Sequence, residues 1–252
     1  MGPQSRTLVG DLCLEDMGIV VERVHDDPPE ARPNTIDVPG RDGEVLRELT
    51  YGPRDITLEC RVFAPKWSDF DRVIDEISAA LMDGQEHLLS VRTHPGEHYM
   101  AYLSSVMQDE RIGGTGIGYL ELAFVASDPW RYGREGSVTV PSGGAATFLV
   151  GGTAPAKVSV RTSYAVRSSG SSVWGVRFDE GDFMHVATGS SGYRRVVING
   201  ETRSVSVAGI TSMLTLDSDW VTLAPGRHIV RMDEGTLYSG GTCTLRWQER
   251  SV

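Results

Sequence analysis

The chain has 252 residues and a mass of 27.4 kDa, with 24 Lys and Arg against 34 Asp and Glu, a formal net charge of -10 at pH 7 and a pI near 5.1. That balance argues against a dedicated nucleic-acid binder, which needs a basic stripe to displace counterions from phosphates. With 40% apolar and 23% charged residues the composition is that of a globular protein, and the length allows one to two domains, each with its own core.

The 29 glycines and 12 prolines imply many turns and hence many short strands. Residues 18–25 are β-branched enough for a strand, and Asp26-Asp-Pro-Pro-Glu30 breaks it. A long loop is expected next, followed by a strand end, a Pro-Gly/Asp-Gly turn and a returning strand over 36–45. Residues 54–63 alternate, with Ile56, Leu58, Cys60 and Val62 on one face and Thr57, Glu59 and Arg61 on the other, the pattern of a half-buried strand. One helix is predicted, capped by Ser68, with Asp69 and Asp71 at the positive end of its dipole. Its stripe of Phe70, Val73, Ile74, Ile77 and Leu81 is expected to pack on a sheet, and Gly84 to end it. Strands are then expected over 87–93, 98–108 and 118–126, the last two joined by the glycine-rich 111–118.

A composition shift near Ser127-Asp-Pro-Trp-Arg-Tyr-Gly133 places a domain boundary there. Beyond it no helical period appears. Short runs at 156–161, 173–178, 194–199, 220–223, 227–232 and 242–247 alternate with Gly, Ser, Asn-Gly or Pro-Gly breaks, which predicts an all-β sandwich.

Motifs for chemistry are weak. His94-Pro-Gly-Glu-His98 has H-x-x-E-H spacing, but Pro95-Gly96 forbids the helix that would put both imidazoles on one metal, so a hairpin tip is expected. The run from Gly114 to Gly118 is followed by a strand, not by the helix N-terminus a phosphate loop needs. Asp179-Glu-Gly-Asp182 reads as a tight turn rather than a calcium loop, and Gly189-Ser-Ser-Gly192 lacks the spacing of a nucleophile elbow. The adjacent acids Asp26-Asp27 and Asp233-Glu234 point to opposite faces of an extended chain. Cys13, Cys60 and Cys243 show neither a disulfide framework nor zinc spacing. No catalytic, cofactor or metal site is expected. The start of the chain lacks an apolar leader region, so the protein is expected to be made and kept on the cytosolic side. Trp174, Trp220 and Trp247 sit among alternating apolar residues, where core packing is the default. Exposed instead, Trp174 and Trp220 would make a sugar-stacking platform, the alternative reading of a glycan-recognising protein.

Several segments, in order, resemble the distal tail proteins of siphophages, the phage tail component family. Ile36-Asp-Val-Pro-Gly-Arg-Asp-Gly-Glu44 is similar to that family's hairpin, 54–58 to the strand after it and 70–81 to its single helix. The stretch Leu120-Glu-Leu-Ala-Phe-Val-Ala-Ser-Asp-Pro-Trp-Arg-Tyr-Gly133 resembles its boundary strand, and 195–200, 219–226 and 242–247 its galectin-like sandwich. The resemblance implies a mainly β fold: an α+β ring-forming, tail-tube-like domain with a β-sandwich or split barrel and one helix over 1–133, then a galectin-like β-sandwich over 134–252. It implies a non-enzymatic hexameric hub, with a tail-tube protein on one side and a tail-tip or baseplate protein on the other. A receptor-binding protein is a further partner, and genome DNA passes through the lumen without specific binding. Candidate intersubunit contacts are Pro39, Gly40, Arg41 and Asp42 at one hairpin and Arg111, Ile112, Gly113 and Gly114 at the other, where edge strands would pair in the ring.

Overall fold

The computed structural model describes residues 6–66, 69–113, 115–162, 166–167, 173–179, 181–188, 195–234, 236–237 and 241–252. They fall into two compact units, Met1–Tyr132 with Val252, and Gly133–Ser251. Charge divides unevenly between them: 24 acidic and 12 basic residues in 1–132, against 10 acidic and 12 basic in 133–251.

The first unit contains β1 (Leu8–Val9), β2 (Leu12–Cys13), β3 (Ile19–His25), β4 (Ala31–Asp37), β5 (Glu44–Tyr51), β6 (Arg54–Phe63), α1 (Asp69–Leu81), β7 (His87–Ser90), β8 (Tyr99–Arg111) and β9 (Ile117–Ala126). Seven of these strands form one antiparallel sheet in the order β2-β1-β7-β8-β9-β6-β3. Its centre is the unbroken ladder from Arg54↔Ala126 to Phe63↔Ile117. There the predicted alternation holds: Ile56, Leu58, Cys60 and Val62 are buried together with Leu120, Leu122 and Phe124. The helix lays Phe70, Val73, Ile74, Ile77 and Leu81 into the same core. Each such side chain removed from water contributes about 1.5–3 kcal/mol, which anchors a helix too short to persist alone. Ser68, the predicted cap, lies outside the described residues; the helix ends at Leu81, and Gly84 takes a left-handed φ of +73° in the following turn.

Two sequence expectations differ from the structure in this unit. Residues 31–35, expected as loop, belong to β4, which pairs only with β5 in a separate two-stranded sheet. Pro33 is tolerated within β4 because a two-stranded ribbon has free outer edges where proline's missing N–H costs no ladder bond. The predicted strand at 87–93 also stops early, at Ser90, because Pro95 and Gly96, the latter at φ +85°, turn the chain back into β8.

The second unit continues with β10 (Arg131–Pro141), β11 (Ala145–Val150), β12 (Ala156–Thr162), β13 (Val166–Arg167), β14 (Val173–Phe178), β15 (Phe183–Ala187), β16 (Val196–Asn199), β17 (Ser204–Val207), β18 (Ile210–Ser212), β19 (Thr222–Leu223), β20 (Gly226–Glu234), β21 (Thr236–Leu237) and β22 (Thr242–Ser251). A larger sheet runs β10-β22-β12-β16-β17-β18, with β19 also on β12, and a smaller one runs β11-β20-β14-β15. Their inner faces share a core that includes Val158, Val160, Trp174, Val176, Phe178, Val196, Ile198, Val230, Leu245 and Trp247. This is a β-sandwich, and with the first unit it gives the mainly β fold expected. The sequence reading passed over β10 because edge strands carry polar and glycine residues instead of a clean alternation. Gly136 within it is required by close packing: a Cβ there would lie 2.2 Å from the Trp247 ring.

Candidate intersubunit surfaces

The β4–β5 ribbon is held by its own ladder, from Ala31↔Tyr51 to Asp37↔Glu44, with a bulge between Asn34 and Thr35. Strand alternation puts the pairs Ala31/Tyr51, Pro33/Leu49 and Thr35/Leu46 on one face, and Arg32/Thr50 and Asn34/Glu48 on the other. The first face is therefore apolar, yet Leu46 is 55% exposed, Leu49 45% and Tyr51 41%. At the ribbon's tip, Arg41 N–H donates to the Val38 carbonyl at 3.1 Å, and Gly40 and Gly43 take positive φ. Pro39, Gly40, Arg41 and Asp42 are all exposed there.

The second predicted hairpin joins β8 and β9. Arg111 ends β8, Ile112 and Gly113 are exposed in the turn, and Gly114 lies outside the described residues. Ile112 N–H donates to the Ile117 carbonyl at 3.0 Å. This turn is also tied to its own unit, since Ala64 N–H donates to the Gly116 carbonyl at 2.8 Å.

At the ribbon's root the structure assembles a polar knot that sequence reasoning missed. The Asp26 carboxylate accepts from the Tyr99 hydroxyl at 2.7 Å and lies 2.8 Å from His94 Nε2. Arg131 Nε donates to Glu97 at 2.8 Å, and its guanidinium stands 3.8 Å from Asp26. The buried Arg54 donates to the Asp26 carbonyl at 2.6 Å and lies over the Tyr99 ring, 5.3 Å from its centroid. Burial, the largest effect, pushes the Tyr99 hydroxyl up to about 12, so it stays protonated as a donor. Arg131 is also held above its ordinary value: burial alone would lower it, but Tyr99 and Glu97 outweigh that. The knot fixes where the ribbon leaves the sheet. Its members are spread from 26 to 131, which is why no spacing rule exposes it.

The knot also absorbs the H-x-x-E-H motif. His94 engages Asp26, Glu97 engages Arg131, and the His98 ring stacks on Tyr132 at 6.0 Å between centroids, so the two imidazoles serve different partners. Asp179 and Asp182 form a tight turn, with Phe178 N–H donating to the Asp182 carbonyl at 2.7 Å. Gly189 to Gly192 lies outside the described residues. Trp174 is fully buried, so no sugar ring reaches it, and Trp220 is half-buried against the sandwich core. The two do not form an exposed platform. Of the cysteines, Cys60 and Cys243 are buried and Cys13 is half-buried.

Residues 14–126 match the family model described as the phage tail protein RIFT-related domain, and 151–250 match the siphovirus-type tail component, C-terminal domain. No curated protein sequence matches the chain. Among solved structures it is similar to SPP1 Dit (gp 19.1), described as a paradigm of the hub adsorption apparatus in phages that infect Gram-positive bacteria. That similarity has 16% identity and a TM-score of 0.74, and covers 98% of this chain and 99% of that one. A chain of the phage P2 baseplate in its activated conformation with Ca is similar at 9% identity and a TM-score of 0.43, with 94% and 92% covered. Two tail-component domains in series, on a fold shared end to end with SPP1 Dit, lead to one conclusion: the chain belongs to the siphophage distal tail protein family.

Proposed function

We propose that this chain is a non-catalytic structural protein of which six copies close into a ring. The ring joins the end of the tail tube to the tail tip or baseplate and leaves a central channel through which the genome passes. The observation that carries the reading is the β4–β5 ribbon. An isolated two-stranded sheet is marginal in water, and one with Leu46 and Leu49 uncovered gains its natural stability from a partner. A heterologous contact from each copy to the next, repeated with closing rotation, gives a cyclic assembly. The ribbon tip at Pro39, Gly40, Arg41 and Asp42 and the turn at Arg111, Ile112, Gly113 and Gly114 are the contacts this assembly uses. The excess of acid in 1–132 suits a channel lining along which phosphates slide without sticking. The second unit serves as a scaffold for receptor-binding or baseplate partners.

Electron microscopy of the protein bound to tail-tube ends tests this. The double variant Leu46→Asp/Leu49→Asp should leave the fold intact, because both side chains are exposed, and should abolish the ring. Rings that form normally from the variant would refute the assignment of the ribbon as an intersubunit contact.

A further inference from the structure

A hollow of about 500 Å³ opens at the root of the β4–β5 ribbon, where the chain leaves β3 and enters β6. Its walls carry both signs of charge: Asp27, Glu30 and Asp55 against Arg32 and Arg54. His25 lines it too, already engaged by Glu59 at 2.8 Å. Among the described residues, Asp27, Glu30, Asp55 and Arg32 have no ion-pair partner. Arg54 is buried, and two of its nitrogens donate to the Asp26 and Pro129 carbonyls, but its Nε finds no acceptor. A buried donor left unmatched is a standing cost that an arriving acceptor removes.

The hollow is built in advance of any occupant. Pro28, Pro29 and Pro53 fix the backbone of its walls. The Tyr51 ring packs edge-on against Trp130, 5.2 Å between centroids, and with the Asp26 knot this sets the line along which the ribbon leaves. A site that needs no ordering loses less on binding. At the far end of the ribbon the turn presents two adjoining opposite charges, Arg41 and Asp42, both exposed and, among the described residues, without ion-pair partners. Strand β4 has seven residues, so at about 3.3 Å each the tip stands roughly 20 Å from the hollow of its own chain.

We propose that the hollow receives the ribbon tip of a second copy, with Arg41 among the carboxylates of Asp27, Glu30 and Asp55, and Asp42 facing Arg32 and Arg54. This rests on the ring reading above and names where the ribbon docks. Three carboxylates disfavour a phosphate or nucleic acid, and two guanidiniums disfavour a lone cation; an adjoining plus-minus pair satisfies both sets. Because tip and hollow lie at opposite ends of one ribbon, each copy gives a tip and takes one, the heterologous contact that closes into a ring.

Electron microscopy of the full chain on tail-tube ends is the test, with near-UV circular dichroism to check that each variant is folded. Arg41→Glu and Asp55→Arg shift the net charge in opposite directions, yet each should raise the protein concentration needed for rings at least about tenfold. An equimolar mixture of the two variants should restore rings. In it each altered tip meets an altered hollow and each native tip a native hollow, an alternation that a ring of six accommodates. A side chain needed only for the fold of its own copy is not rescued by mixing. Unchanged ring formation by either single variant, or no restoration in the mixture, would overturn the proposal. If that happens while Leu46→Asp/Leu49→Asp still abolishes rings, the hub reading stands and only the docking place is wrong. A parent protein that forms no rings overturns both.

Discussion

At Gly116 a Cβ would sit 2.0 Å from the Ala64 carbonyl oxygen, and backbone on both sides cannot move apart cheaply. Gly116→Ala should therefore destabilise the protein by about 2–3 kcal/mol, read as a lower urea midpoint with an unchanged slope. The thiols differ as sharply. Burial, the largest effect, pushes both Cys60 and Cys243 up to about 12, while Cys13 is partly exposed. A disulfide reagent at neutral pH should titrate one thiol in the native protein and three after unfolding. The Asp179–His228 pair, 2.7 Å apart, gives a pH signature. Burial alone would raise Asp179, but His228 and the Ile229 N–H outweigh it and hold the carboxyl below its ordinary 3.8. Burial would lower His228, but Asp179 and the Ala224 carbonyl outweigh it and hold the imidazole above 6.5. The histidine's contribution is complete below 6.5 and lost as pH rises through its raised folded value; the aspartate's is complete above 3.8 and lost as pH falls through its lowered one. The stability lost in His228→Asn should thus be largest near about pH 5 and shrink toward both extremes, as measured by denaturation across pH.

Among elements, α1 and β6 were the most legible in the sequence because each satisfies one strong rule. Phe70, Val73, Ile74, Ile77 and Leu81 recur at helical spacing, and Ile56, Leu58, Cys60 and Val62 at strand spacing, and both sets face one core. Ile77→Ala should cost about 2–4 kcal/mol by leaving a cavity under the helix, a loss that a thermal or urea melt will show. The ribbon was half legible. Its Pro-Gly/Asp-Gly turn was visible, but β4 was hidden, because alternation reports a strand only where one face is buried and here both face water. The small strands β17 and β18 escaped for another reason, since runs of three or four residues carry too few side chains to establish a period. The Asp26 knot was illegible because hydrogen bonds across the fold leave no local pattern.

Taken whole, the molecule segregates its charge, with the acidic excess confined to 1–132. Copies that bring such units together repel one another, and salt screens that repulsion over a Debye length of about 10 Å at 0.1 M. Formation of the proposed ring should therefore rise between about 0.05 M and about 0.5 M salt, measured by sedimentation velocity. The family was readable because several weak fragments occur in the right order, whereas the copy number and neighbours of a hub lie in shape complementarity that no single chain spells out. The exposed side chains of the β4–β5 ribbon lie outside both hydrophobic cores. Mutation can thus rewrite that ribbon without disturbing either core. On the proposed role of the ribbon as a contact between copies, transplanting it between related tail proteins should move partner choice while the rest of the molecule folds as before.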